Sequence, residues 1–475
     1  MNQPAIKSAS KIALAAIAAL LIIAIIFFKE RVLFADAAFA AYNIINNKTV
    51  YIISQRYGSF VARIIPYWQA RLHFSVKSIL IGYGISSNLF LLIVTALMVY
   101  VYKQYKLAIL IAFYSLLIVS DSFYMLADTH VGIGWLFLCL GTTIYLGYKQ
   151  VNIIAVAIPF ILFSFLAVTT HFIVFIPAIF LWVYFILDKS VWPFSWKKSV
   201  FLSCLFILVI VCKLLLTEGN SYDSHVLRGV TRLSIQDVID AFATPTAKIF
   251  FYRCIVNYWV ALILFIVGII YLAIERKIML LVWTVISVAG YIALMGITYA
   301  DHDANTLLCH IELEWQCLGL VAATPFVFAF LPKLKPVPAA LVLVMIFAVR
   351  FTYIAHSLIA LENRYQYTVR VMKQMKKKGI DKLTLYENGD INSIYLIDWA
   401  VTEESLLASA MDGDKPQLNF CYIGKDMKNI FEGMKRPRDF WNGYDMAPPY
   451  LMNHEYFNID TTQAYKIMSV EDFFK

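Results

Sequence analysis

Long stretches of hydrophobic residues repeat along this chain from Ile12 to about Ser357. A run of about 20 apolar residues crosses the hydrocarbon layer of a membrane as an α-helix. The pattern therefore predicts a polytopic α-helical membrane protein with about eleven transmembrane helices, of which the two shortest require tilt or local thinning of the bilayer. The predicted spans are 12–28, 78–102, 107–120, 131–147, 151–168, 172–187, 199–216, 256–274, 278–297, 315–331 and 337–357.

Lysine and arginine in the short connections set the predicted orientation, because cytoplasmic loops of membrane proteins are enriched in both. With Lys7 and Lys11 inside, a basic residue falls in every predicted inner loop. The short outer segments contain neither lysine nor arginine: 120–130, 169–171 and 298–314. We therefore expect the N-terminus in the cytoplasm and the C-terminal segment on the outer face.

The first hydrophobic stretch has an alternative interpretation as a cleaved signal peptide, because the small residues at 35–40 resemble a cleavage site. We favour a retained helix. The 17 apolar residues from Ile12 to Phe28 are longer than a usual signal-peptide core, and the charged residues 29–31 separate them from the alanines.

A change in composition divides the chain into two predicted domains. Residues 1–361 form a transmembrane domain with large outer loops at 29–77 and 217–255. Residues 362–475 form a polar tail, and about 110 residues are enough for a separate core.

The pattern within the tail predicts both helix and strand. A strand over Lys382–Tyr386, a helix over 402–411 and a second strand over 417–423 are expected. The tail is thus predicted to be a small soluble α/β domain on the outer face of the membrane.

Composition supports a membrane protein and limits the classes of function. Hydrophobic residues make up 61% of the chain and charged residues 15%, whereas soluble domains are roughly half apolar and a quarter charged. The net charge of +9 follows from basic inner loops and calls for no nucleic-acid partner. There is no Walker A loop and no Gly-x-Gly-x-x-Gly motif, so a transferase on the outer side needs an activated donor already across the membrane.

Acids in the first two outer loops are the leading candidates for catalysis. Asp36 lies in the sequence FADAAF at 34–39, directly after the first predicted helix. An isolated carboxylate at the headgroup level is costly unless it is exposed, paired or functional. The structural alternative for Asp36 is the N-cap of a helix over 37–45. Asp121 and Asp128 have no basic neighbour in their loop, and solvation or helix capping is the alternative for both.

The other polar candidates are histidines and a late acidic cluster. His130 closes the second outer loop, and His171 lies in a tight turn where a lone histidine is more often structural. The densest polar set is Asp301, His302, Asp303, His310, Glu312 and Glu314. These side chains leave open a divalent metal, but their spacing matches no specific motif, so solvated loop residues are the alternative.

Arginines of the two large outer loops are candidates for binding a phosphate at the membrane surface. They are Arg56, Arg63, Arg228 and Arg232. A guanidinium presents a planar fork that matches phosphate oxygens. Contact with lipid headgroups is the alternative for each of them.

Taken together, these features resemble a GT-C-type glycosyltransferase, the class that includes protein mannosyltransferases and aminoarabinose transferases. The resemblance rests on the inside N-terminus, the number of helices, the acid after the first helix and the outer domain. It implies that Asp36 is the catalytic base, that Asp128 or Asp121 is a second acid, and that the donor is a polyprenyl-phosphate-linked sugar. The implied acceptor is a glycan, a lipid or a protein. The compact loops and the lack of targeting features favour a bacterial inner membrane as the location, with the tail in the periplasm.

The chain departs from that family in three respects. Asp36 is followed by Ala37 where many relatives have a glutamate. The arginine-tyrosine pair that several relatives carry in a late outer loop occurs here after the last span, at Arg364 and Tyr365. The Trp-Trp-Asp signature of oligosaccharyltransferases is absent, which argues against that metal-dependent branch.

The main alternative is a membrane protein without catalytic activity, either an envelope scaffold or a flippase or transporter of lipid-linked glycans. Transporters often carry charged residues within their helices near the membrane midplane. The predicted helices here are nearly free of acids and bases, which disfavours an ion-coupled carrier. A scaffold, with the tail as a docking module, is left open by the sequence.

Overall fold

The computed structural model is mostly helical, with a small β-sheet in the tail. It describes residues 3–53, 55–217, 234–300, 307–387, 398–424, 438–441 and 446–475. Within these ranges the helices are α1 Gln3–Ile26, α2 Phe28–Val32, α3 Ala35–Asn47, α4 Phe60–Arg71, α5 Val76–Ala96, α6 Tyr105–Leu116, α7 Asp128–Tyr148, α8 Ile153–Val168, α9 Phe175–Leu187, α10 Trp196–Leu216, α11 Ile235–Asp240, α12 Pro245–Val256, α13 Trp259–Ile274, α14 Ile278–Thr298, α15 Leu308–Pro325, α16 Pro336–Lys378, α17 Val401–Asp412 and α18 Val470–Phe474.

The hydrophobic segments predicted to span the membrane are helical in the structure. Among the described residues, seven helices are long and apolar enough to cross a membrane, or eight if α12 and α13, bent by 88°, count as one broken span. Three shorter apolar helices have 10–17 residues and include α6 and α8. The prediction of a helical membrane protein is confirmed at this level, and the number of eleven spans stays a prediction.

The short helix α6 lies inside the bundle, against α1 and α15. Its residues from Leu107 to Leu116 are all buried. A helix that is hydrophobic on every side is covered by other helices and does not need a bilayer-length apolar surface of its own. This packing explains how a 12-residue helix, about 18 Å long, is accommodated in the bundle.

A fully buried arginine joins the end of α6 to the break between α12 and α13. Arg350 of α16 donates hydrogen bonds to the backbone carbonyls of Leu116 at 2.9 Å, Val119 at 2.9 Å and Asn257 at 2.5 Å. Leu116 is the last residue of α6, Val119 follows it, and Asn257 lies at the break between α12 and α13, so all three carbonyls are where helical hydrogen bonds stop. Arg350 therefore satisfies acceptors that have no water in an apolar interior.

The tail folds around a three-stranded parallel sheet. Its strand order is β2-β1-β5, with β1 at Lys382–Tyr386, β2 at Asn419–Ile423 and β5 at Lys466–Ser469. Helix α17 makes the crossover from β1 to β2 that parallel pairing requires. Two short strands, β3 at Phe440–Trp441 and β4 at Met446–Ala447, pair antiparallel. The strand at 382–386 and the helix around 402–411 lie where the pattern predicted them.

The tail shares one hydrophobic core with residues 29–77, the predicted first outer loop. Leu383, Leu406 and Phe420 of the tail belong to the same buried cluster as Ile44 of α3 and Leu80 of α5. The tail therefore packs on the loop that carries Asp36. That the tail is a separate soluble domain stays a prediction.

Replacing Arg350 by methionine is expected to destabilise the protein. The substitution keeps an unbranched apolar chain but leaves three buried carbonyls without donors, at a cost of about 3 kcal/mol. We expect a clearly lower midpoint of thermal unfolding for the purified protein in detergent. Thr352→Val on the exposed face of the same helix is the control, and equal midpoints for both variants would contradict this account.

Candidate functional site

The segment that carries Asp36 is anchored by a second buried arginine. Arg31 of α2 is 1% exposed and donates to the carbonyl of Gly84 at 3.1 Å and to Oδ1 of Asn88 at 2.9 Å. It also donates to the carbonyl of Phe123, in the predicted second outer loop at 120–130. The end of the first membrane helix is thereby fixed against α5 and the loop that precedes Asp128.

Asp36 lies in the first turn of α3 with its side chain open to solvent. The N-cap of this helix is Phe34, so the interpretation of Asp36 as an N-cap is not what the structure has. The surrounding protein nevertheless shields part of the carboxyl group from water. This burial raises the pKa of Asp36 above the usual 3.8, against the opposing effect of His310 and Arg56 and with a smaller contribution from the negative charge of Asp128.

Asp128, unlike the solvent-exposed Asp36, is held between two arginines. Its two oxygens accept hydrogen bonds from Nη2 of Arg63 at 3.0 and 3.2 Å, and Nη1 of Arg56 lies 3.7 Å away. Arg63 is 3% exposed and also donates to the carbonyl of Tyr51. The carboxylate of Asp128 is thus neutralised by arginines of the first outer loop.

The structure brings five of the sequence-predicted residues into one cluster: Asp36, Arg56, Arg63, Asp128 and His310. It adds Tyr83 of α5, a buried tyrosine that interacts with Arg63 and with both carboxylates. Sequence reasoning missed Tyr83 because a tyrosine within an apolar span carries no local signal. The cluster combines an accessible carboxylate with cationic and hydroxyl groups.

Asp121 belongs to a different environment. It lines a cavity of about 460 Å³ together with Arg253, Asn257 and His356. Burial and the charge of Glu312 raise the pKa of Asp121 to about 6, although Ser357, Arg253 and His356 oppose the shift. The cavity lies where α12 bends into α13, and its lining combines these polar groups with apolar residues such as Leu308 and Ile359.

Glu312 holds the start of the predicted second outer loop in place. It is 0% exposed and accepts hydrogen bonds from the amides of Ser120 at 2.8 Å and Ser122 at 2.7 Å, from the hydroxyl of Ser120, and from Tyr258 at 3.1 Å. With these donors, Glu312 is a buried structural carboxylate and not a solvated loop residue.

The two predicted histidines outside the late cluster, His130 and His171, make local contacts. His130 is buried in the bundle, with its Nδ1 3.0 Å from the hydroxyl of Tyr114 and 3.5 Å from Nε2 of Gln316. The Nδ1 of His171 accepts a hydrogen bond from the amide of Ile173 at 3.2 Å and so caps a short helical turn. Five predicted residues lie outside the described ranges: Arg228, Arg232, Asp301, His302 and Asp303.

In the parts of the chain that the structure describes, no three His, Cys, Asp or Glu side chains are grouped closely enough to hold a metal ion. Three members of the late acidic cluster are outside those parts, and a divalent metal there stays a prediction. No family model, curated protein or solved structure matches this chain. The similarity to GT-C enzymes therefore remains the expectation from its sequence features.

Replacing Asp128 by asparagine is expected to destabilise the protein, because it leaves the buried guanidinium of Arg63 without its counter-charge. Removing one partner of a buried ion pair costs roughly 3 kcal/mol or more. The matched control is Asp36→Asn, which removes a carboxylate that is already partly desolvated and should leave stability unchanged. The comparison is made by thermal unfolding in detergent. Equal midpoints for the two variants would show that the Asp128 ion pair is not needed for stability.

Proposed function

We propose that this protein is a GT-C-like integral-membrane glycosyltransferase that transfers a sugar from a polyprenyl-phosphate donor to a glycan, lipid or protein acceptor. The observation that carries the proposal is the Asp36 site: a solvent-accessible carboxylate with a raised pKa, beside Arg56 and His310, directly after the first membrane helix. A positioned general base contributes roughly 10²–10⁴-fold to rate.

In the proposed reaction, Asp36 accepts the proton of an acceptor hydroxyl or amine as that group attacks the anomeric carbon of the sugar. The new bond forms to the anomeric carbon, and the bond from that carbon to the phosphate oxygen breaks. The leaving polyprenyl phosphate retains the electron pair. Inversion at the anomeric carbon is the expectation from the GT-C resemblance.

The arginines divide into two proposed roles. Both terminal nitrogens of Arg63 are engaged, by Asp128 and by a backbone carbonyl, so we assign Arg63 to ordering the site. Arg56 contacts Asp128 at the longer distance of 3.7 Å and is more exposed, which favours it as the cation that stabilises the leaving phosphate. Arg228 and Arg232 remain candidates for the same role.

The proposal includes the finer topology. We propose eleven spans, a cytoplasmic N-terminus and a periplasmic tail in a bacterial inner membrane. Seven of the proposed spans are the long helices. The other spans are the three short apolar helices and the bent α12–α13 pair, counted as one. In this arrangement the Asp36 site faces a donor that is already on the periplasmic side.

Asp36→Asn is expected to abolish transfer while the protein stays folded, because asparagine cannot accept the acceptor proton. Purified wild type and variant are incubated with a panel of polyprenyl-phosphate sugars and candidate acceptors, and release of lipid phosphate is measured. The control is Asp240→Asn, an exposed acid of the outer loop in α11. Full activity in Asp36→Asn would refute the mechanism, and an inactive but well-folded wild type would favour the scaffold or flippase.

The pH dependence of transfer tests the environment of Asp36. The base works only when ionised, so a raised pKa in the free protein moves the acidic limb of the kcat/KM profile above the usual aspartate value of 3.8. Arg56 lowers this pKa, so Arg56→Gln should move the limb to still higher pH. Arg276→Gln, in the predicted inner loop, is the control. A limb that stays in place or moves to lower pH in Arg56→Gln would contradict the assignment.

A further inference from the structure

A buried carboxylate of the tail lies directly behind Asp36. Glu404 of α17 is 1% exposed. Its Oε1 accepts a hydrogen bond from the backbone amide of Ala35 at 2.9 Å. The guanidinium of Arg364 in α16 donates to both of its oxygens, at 2.7 and 3.2 Å. Three helices that are distant in sequence therefore meet at one carboxylate, next to the candidate base.

The chain at this point needs such an acceptor. Ala35 has a φ of +40°, in the left-handed region that is unfavourable for a residue with a Cβ. The N-cap Phe34 makes no side-chain hydrogen bond to the helix, and the first amides of a helix have no partner within it. Glu404 supplies the acceptor for the amide of Ala35.

The same ion pair also holds the residue before Ala35. The guanidinium of Arg364 lies 4.8 Å from the centre of the Phe34 ring, within the range of a cation–π contact. Both residues that precede Asp36 are thus fixed by Arg364 and Glu404. The direction in which the first turn of α3 leaves the membrane helix depends on these contacts.

We propose that Glu404 is a positioning residue for Asp36, holding the Ala35 amide and the Arg364 guanidinium so that the Asp36 carboxylate points at the acceptor. The inference rests on the proposed function, in which Asp36 is the base. A misplacement of about 1 Å in a reacting group costs roughly 10²-fold in rate. The tail thereby contributes to the geometry of the reaction site.

The neighbouring residue provides a matched control. Glu403 is 0% exposed, and within the described part of the chain neither of its side-chain oxygens has a hydrogen-bond partner. Burial raises the pKa of Glu403 to about 8, so the group is protonated at neutral pH. Glutamine at this position therefore replaces one neutral group by another of similar size.

The kinetic test compares Glu404→Gln with Glu403→Gln in the full-length protein. We expect kcat to fall roughly 10-fold to 100-fold in Glu404→Gln, with KM for the donor nearly unchanged and the acidic limb of the kcat profile shifted. Glu403→Gln should keep the wild-type profile. The proposal would be overturned if Glu404→Gln kept the wild-type kcat and pH dependence. It would also be overturned if the loss of activity only matched a loss of folded protein. If Glu404→Gln does not fold, Glu404→Asp, which retains the charge on a shorter side chain, takes its place.

A second measurement is independent of turnover. Hydrogen–deuterium exchange of the amides around Ala35 should be faster in Glu404→Gln than in wild type, and unchanged in Glu403→Gln. Unchanged exchange in Glu404→Gln would show that Glu404 does not hold this turn. A wild type that turns over no donor would refute the proposed function, whereas the exchange experiment would still decide whether Glu404 positions Asp36.

Discussion

The structure depends on side-chain hydrogen bonds to backbone carbonyls that lie in an apolar interior. Two buried arginines make such bonds to segments far away in sequence: Arg350 donates to carbonyls at the end of α6, and Arg31 donates to the carbonyls of Gly84 within α5 and of Phe123. Water is absent from the hydrocarbon layer, so an unsatisfied carbonyl there costs several kcal/mol. The two arginines therefore determine where α6 can end and where the second outer loop must lie.

The position of that loop sets the electrostatics of the candidate site. Arg31 and Glu312 hold residues 120–123, and the rest of the loop places Asp128 beside Arg63 and Arg56. Two aspartates then experience different surroundings. Asp128 is paired with arginines, whereas Asp36 is open to solvent and partly desolvated.

The shared core of the tail and the first outer loop gives the tail a part in this arrangement. Leu406 and Phe420 pack in the same cluster as Ile44, so α17 is held against α3. This packing brings Glu404 to the turn before Asp36 and allows its ion pair with Arg364 to be buried. A rearrangement of the tail would thus be transmitted to the Asp36 turn through rigid, packed contacts.

Local patterns predicted several parts of this protein. The hydrophobic runs predicted membrane helices because the length of an apolar run is itself the physical requirement. Alternation and turn residues located the strand at Lys382–Tyr386, and a lone acid after the first helix drew attention to Asp36. Helix number was harder to judge, since α6 is enclosed by other helices and its length is not matched to the bilayer.

Pairing between distant residues was beyond the reach of these patterns. Asp128 reads as an acid without a partner in its own loop, yet Arg63 neutralises it from 65 positions away. In the sequence, Glu404 looks like an ordinary helix residue, yet it accepts a hydrogen bond from an amide 369 positions away. Tyr83 likewise contributes to the site from within an apolar span. Hydrophobic periodicity depends on neighbours in the chain, whereas the partner of a buried charge depends on which helices pack together, and only the tertiary structure fixes that.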